Sequence, residues 1–340
     1  MSANSSSTLV RSTDEVALDI ASFLRDALLA HQQPQREEER TSILINHVDA
    51  DQFSPLRELA PSRATFLLDP RNCVQQGARP TRALVFSILV FRLISFNTEA
   101  LKIATDEHRQ THFQTLDDWH TYLAALKGMF PEELTTFFCN KAAYGRGQRR
   151  STDNAAQCWQ TSEIIAQHLQ KLPSPAPFTE VGAFIKRLKA NMLPSAGLLV
   201  QVLILGDLAY AGAIEMPTAQ EMEDAIRTLK MGGYDALDML GIPLAASKSE
   251  SSSFVELYHL LGGVLSSTEK EAMRFDAIML EHTLCKIKRC RTTKGIARAG
   301  AYMKGKAKKD RQVTRRAVKR KSSTAVSSNR VKQARPANTE

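Results

Sequence analysis

The chain has 340 residues, 43% of them hydrophobic, and a formal net charge of +9 at neutral pH. That charge averages two unlike parts: residues 286–340 hold nineteen Lys/Arg against two acids, a net +17, whereas residues 1–285 hold 26 bases and 34 acids, a net −8. Five scattered cysteines without a C-x-x-C pair argue against a disulfide framework and a Cys-based zinc module, and point to a reducing compartment. The longest apolar stretch, 83–96, is too short for a bilayer span and carries Arg92 near its centre, so no membrane partner is expected.

In chain order, residues 1–12 are Ser-rich with no apolar run, which does not fit a secretory signal. Val16, Ile20, Phe23, Leu24 and Leu28 have helical spacing, opened by Ser12/Thr13 as candidate caps. A weaker helix is expected over Glu37–Val48, then a polar, Pro-containing connection from Asp49 to Pro80. The segment after Pro80 reads as a buried helix, and Asp117–Lys127 as an amphipathic one stopped by Gly128 and Pro131. A basic loop follows at Tyr144–Asp153, then helices over Val181–Met192, Pro194–Tyr210, Thr218–Met231, Tyr234–Leu240, Phe254–Leu261 and one long helix from Thr268 to about Lys288. No run alternates with period two for long enough to be a strand. The expected fold is all-α: a disordered N-terminus (1–12), an N-terminal helical region (13–79), a helical core domain (80–291) and a disordered basic tail (292–340).

The tail has few aliphatic residues after Ile296 and cannot bury enough apolar surface to offset its ordering entropy. Its basic residues Lys304, Lys306, Lys308, Lys309, Arg311, Arg315, Arg316, Lys319, Arg320 and Lys321 are of the kind that bind nucleic-acid phosphates without reading bases. Lys306-Ala-Lys-Lys and Lys319-Arg-Lys also resemble a two-part nuclear import signal, so the nucleus is the expected location.

Polar groups interrupt the apolar helices at three places: Arg92 and Asn97 in Phe91-Arg-Leu-Ile-Ser-Phe-Asn97, Asp207 in Gly206-Asp-Leu-Ala-Tyr210, and Glu281-His282. An Arg in such a helix needs a carboxylate or a phosphate, because a lone buried charge costs several kcal/mol. Pairing of Arg92 with Asp207 or Glu281 would make these residues structural. On the last helix Met273, Ala277, Leu280, Leu284 and Ile287 form one apolar stripe, and Phe275, Ile278, His282 and Cys285 a second, so His282 is expected to be buried.

Four stretches taken together resemble a family: Phe91-Arg-Leu-Ile-Ser-Phe-Asn-Thr-Glu99, Trp119-His-Thr-Tyr-Leu123, residues 193–210, and Glu281-His-Thr-Leu-Cys285. The likeness, over roughly residues 80–305, is to the α-glutamyl/putrescinyl-thymine pyrophosphorylase group, the helical domain of 5-hydroxymethyluracil DNA kinases. The resemblance implies a helical protein tied to thymine hypermodification in DNA, with Arg92, Asn97, Asp207, Glu281 and His282 as catalytic positions. Arg92 would stabilise a leaving phosphate, Asp207 or Glu281 would accept an amine proton, and Asn97 would read the base edge. The chain departs from the family after Cys285, where Lys286-Ile-Lys-Arg-Cys290 replaces an acid and a Lys-Tyr. With no G-x-x-x-x-G-K-[ST] loop, a kinase partner would be a separate protein, and no cofactor is expected.

Leu193-Pro-Ser-Ala-Gly197 is similar to the helix-hairpin-helix of DNA glycosylases, which makes Ser195 and Gly197 candidate phosphate contacts. His108 and His112 have a spacing that can hold a metal, but their segment is polar all round and reads as an exposed helical turn with no third ligand fixed; no metal site is expected. Trp119 and Trp159 fall on apolar helix positions and read as core. The functional expectation is a nuclear DNA-associated protein related to thymine hypermodification. The alternatives are a non-catalytic DNA-binding or chromatin-associated module with the same fold, and a basic-tailed RNA-binding nuclear factor.

Overall fold

The structure is a computed structural model that describes residues 12–33, 53–75, 77–103, 109–140, 150–188, 192–194, 196–244 and 253–291. The described residues form fourteen α-helices and no strand; Ala176 and Ile214 make an isolated parallel bridge. Residues 292–340, with every tail position named above, lie outside the described residues, as do the expected helix Glu37–Val48 and Ser195.

Helix α1 (Thr13–Gln32) starts where the sequence places its cap: Ser12 accepts from the Glu15 N–H and Glu15 reaches back to the Ser12 N–H. Its stripe of Val16, Ile20 and Leu24 is buried against α12 (Ser253–Val264). Helix α3 (Arg82–Val90), capped by Thr81, is buried at every position from Ala83 to Val90, so its apolar residues go all round rather than along one stripe. It packs against α7 (Ala155–Gln170) and α9 (Leu198–Tyr210). Beyond Val90 it widens into a π-helical turn, Phe91–Ser95, closed by the Phe96 N–H on the Phe91 carbonyl at 2.7 Å.

The connection from 49 to 80 holds more than a polar linker. Helix α2 (Pro61–Leu67) begins with proline at its first turn and buries Phe66, a 3-10 turn spans Pro70–Asn72, and Phe53 and Leu56 are also in the core. Between α3 and α7 lie α4 (Glu99–Ile103), α5 (Leu116–Met129) and the short α6 (Thr135–Phe138). Helix α5 runs through Gly128 and stops before Pro131. Helix α8 (Phe178–Arg187) packs on α9, which starts at Leu198 rather than Pro194; Gly197 is its N-cap and Pro194 sits in the preceding turn.

After α10 (Ala219–Leu229) and α11 (Gly233–Met239), the expected single C-terminal helix is two. Helix α13 (Ser267–Met273) ends at Arg274, which takes a left-handed φ of 53°. Helix α14 (Ala277–Arg291) restarts because the Asp276 carboxylate accepts the Met279 N–H at 2.8 Å, a side-chain cap that competes with helix continuation. The apolar stripe crosses the break in register, which is why periodicity alone joins the two. Buried residues from Val16 to Ile287 form one hydrophobic cluster, with members on both sides of position 80.

Candidate functional site

Four segments bring charge into this core. Arg57 precedes α2, Arg63 lies on it, Arg92 occupies the π turn after α3, and Asp207 sits inside α9. Asp207 is fully buried; Arg63 and Arg92 have 1% and 3% of their surface exposed. Arg92 grips the carboxylate with both arms of its fork, Nε to Oδ2 at 2.5 Å and Nη2 to Oδ1 at 2.6 Å. Arg63 Nη1 and Arg57 Nη2 approach Oδ1 at 3.5 and 3.8 Å without a hydrogen bond to it. Arg57 instead donates to the Leu203 carbonyl at 3.3 Å. Gly206 makes that approach possible, because a Cβ there would stand 2.9 Å from Arg57 Nη2.

Aromatic rings wall the guanidinium groups. Arg92 lies 4.6 Å from the centre of Phe96, and Arg63 lies 5.4 Å from both Phe66 and Tyr210. Burial drives the Asp207 carboxyl upward, but the Arg92, Arg63 and Arg57 charges outweigh it and hold the acid below its ordinary range. For Arg63 burial prevails over the attraction of Asp207 and lowers the guanidinium pKa.

Helix α14 closes one side with His282, Lys286 and Arg289, spaced so that they share a face. Burial, then the charge of Lys286, presses the His282 pKa well below its ordinary value; Arg57, Arg289 and Arg92 act in the same direction. The ring is therefore neutral at pH 7. Lys286 is buried and falls to about 7, through burial first and Arg289 second. Nearby, Asp276 rises to about 6, chiefly through burial, while accepting from the Tyr210 hydroxyl at 3.2 Å.

The Lys286 shift has a stability consequence. Its folded pKa lies below the unfolded value near 10.5, so above pH 7 the unfolded chain holds a proton that the folded chain has released. Stability should therefore rise with pH from 7 to about 9, by at most about 1.4 kcal/mol per pH unit from this group. Denaturant midpoints across that range should climb in the wild type, and the Lys286→Met variant should lose the climb.

The structure thus joins Arg92 and Asp207 directly and sets His282 within range of their cluster. Arg92 and Asp207 meet at a closed polar centre in the core, whereas His282 on α14 is part-exposed. Glu281 turns elsewhere: its Oε1 accepts from the Cys285 thiol at 3.0 Å, beside Gly232 and Gly233 of α11. Gly232 has a φ of 64°, and a Cβ on it would come within 2.5 Å of Cys285 Sγ. Asn97 ends the π turn with φ 57°; its backbone N–H donates to Ser62 Oγ, and its side-chain oxygen is buried without a hydrogen-bond partner. Gly197 is exposed at the start of α9. His112 departs from the exposed helical turn expected of it: it is buried outside any helix, with Nδ1 3.0 Å from Asn72 Oδ1. Among the described residues no cluster of His, Cys, Asp and Glu is arranged to hold a metal ion, and no helix is long and apolar enough to cross a membrane. Trp119 is core, as its position implies, and Trp159 is partly buried with Arg82 3.5 Å above its ring.

Sequence reasoning missed Arg57, Arg63 and Lys286. The available signal was Leu56, Leu59, Ala60 and Phe66 around two arginines, apolar residues that a polar linker has no reason to carry. No family model, no curated protein and no solved structure matches the chain. The likeness to the thymine-hypermodification group therefore rests on the four sequence stretches.

Proposed function

We propose that the protein is a nuclear, DNA-associated member of the thymine-hypermodification type, which docks on duplex DNA through its basic tail and addresses a modified thymine with its helical body. The supporting observation is the pairing of Arg92 with Asp207, 115 residues apart in the chain, with His282 on α14 in reach of the Arg57 and Arg92 charges. The neutral His282 supplies a part-exposed hydrogen-bonding edge on α14, and Asn97 carries an unsatisfied acceptor. Asp207 holds Arg92 in place; acceptance of an amine proton does not suit an acid already engaged by a two-armed arginine and held below its ordinary pKa. That same engagement favours a second reading, a non-catalytic DNA-binding module that keeps the fold.

The test is binding of the full chain to two otherwise identical duplexes, one with thymine and one with 5-hydroxymethyluracil. A preference of about tenfold for the modified duplex, equivalent to about 1.4 kcal/mol, is expected. His282→Gln should abolish it while leaving affinity for the thymine duplex intact, since no charge is left unpaired by that change. Equal affinity of the wild type for both duplexes would discard base recognition and leave the non-catalytic reading.

A further inference from the structure

One carboxylate in the core has a partner and a second candidate beside it. Arg92 holds both oxygens of Asp207, at 2.5 and 2.6 Å. Arg63 Nη1 stands 3.5 Å from Oδ1, and none of the three Arg63 guanidinium nitrogens has a hydrogen-bond partner, although the side chain is only 2% exposed. A buried donor without a partner is costly, and a move of roughly 0.6 Å would bring this one to the usual bonding distance. Arg57 is placed otherwise: its Nη2 is 3.8 Å from Oδ1 and donates to the Leu203 carbonyl. Burial pushes the Asp207 carboxyl upward; of the charges that pull it down, Arg92 comes first, Arg63 second and Arg57 last.

Arg63 and Arg92 are seated alike but on different backbone. Arg63, on α2, has the rings of Phe66 and Tyr210 5.4 Å away. Arg92 has Phe91 and Phe96 at 5.3 and 4.6 Å, and it stands in the π turn that follows α3. Passage of that turn from π to α register would drop one residue from it and rotate those beyond by about 100°. Arg92 thus belongs to the less regular of the two segments.

We propose that Asp207 exchanges partners: Arg63 is a reserve that takes the carboxylate when Arg92 is drawn away. In each arrangement one guanidinium is bonded to the acid and the other lies against aromatic rings, Phe66 and Tyr210 for Arg63, Phe91 and Phe96 for Arg92. The carboxylate is paired in both, so the ion pair opens without stranding a buried charge on Asp207. An anion that competes for Arg92 would move the population toward the second arrangement. The exchange goes beyond the DNA reading and needs neither a modified base nor nucleic acid.

The test is a double-mutant cycle on the full chain, read as melting temperature by helical circular dichroism. Arg63→Met should stay within about 2 °C of wild type, since it removes no hydrogen bond, and Arg92→Met should lose no more than about 4 °C, because Arg63 takes its place. The two together should lose about 10 °C or fail to fold, far beyond the sum of the single losses. Arg57→Met combined with Arg92→Met should come close to the sum of its own single losses. In a crystal structure of Arg92→Met, Arg63 Nη1 should lie within about 3.0 Å of Asp207 Oδ1. Losses that simply add, with Arg92→Met already as unstable as the double variant, would overturn the exchange. So would coupling to Arg57 in place of Arg63, or an Arg63 that keeps its separation from the acid in Arg92→Met.

Discussion

Asp207→Ala should destabilise the body by about 3–5 kcal/mol or prevent its folding, the largest effect expected of any single substitution in the chain. The reason is the asymmetry of the centre. Three buried guanidinium groups share this one carboxylate, and Arg92 makes two short hydrogen bonds to it. Removing it leaves mutually repelling cations in a low-dielectric interior, where Arg92 and Arg57 already press down the pKa of Arg63. Asp207→Asn keeps the shape and loses the charge, so it should cost nearly as much. Pairing Asp207→Leu with Arg92→Met should recover part of the loss, because an apolar pair needs no compensation, although Arg57 and Arg63 would remain unpaired. Guanidinium or urea titrations followed by helical circular dichroism measure this directly. A midpoint for Asp207→Ala within about 1 kcal/mol of wild type would mean that the arginines escape to solvent.

Ending the chain after Arg291 should abolish most of its affinity for DNA. The body before residue 286 has a net charge of −8, and the last 55 residues carry +17, so under the proposed function the counterion-releasing contacts are expected of the tail. At low salt the truncated protein should bind duplex DNA at least about tenfold more weakly, and the slope of log K against log salt should flatten by about 0.9 for each phosphate contact removed. Binding with unchanged affinity and slope would transfer the electrostatic footprint to the acidic body.

The all-α body, its capped first helix and the buried nature of the 83–96 segment were legible because each is written in local pattern: a Ser-x-x-Glu box, 3.6-residue spacing, an apolar run interrupted by one arginine. The need of Arg92 for a charged partner was equally legible, and Asp207 is that partner. The break at Arg274 was not, since it depends on a left-handed residue and a side-chain cap that leave the apolar register intact. Nor were the roles of Arg57 and Arg63. A short helix opened by proline looks like a linker until its neighbours bury it, and a second or third arginine on one carboxylate leaves no periodic trace. Glu281 and His282, adjacent in sequence, point to different neighbours because successive helical residues diverge by about 100°.

The wide sequence separation of the polar centre sets an order of events during synthesis. Arg57, Arg63 and Arg92 all leave the ribosome before Asp207, which follows Arg92 by 115 residues. At translation rates of about 5–20 residues per second, that interval lasts roughly 6–23 s. Throughout it, the nascent chain displays three arginines before Asp207, the carboxylate they share in the folded protein, has been made, together with the apolar helix α3. The N-terminal half therefore cannot settle into its final packing as an autonomous unit; α9 must arrive before its charges can be buried. A fragment ending before Leu198 has 21 bases and 21 acids, so it carries no net charge, yet it lacks the one carboxylate that Arg92 grips in the folded protein.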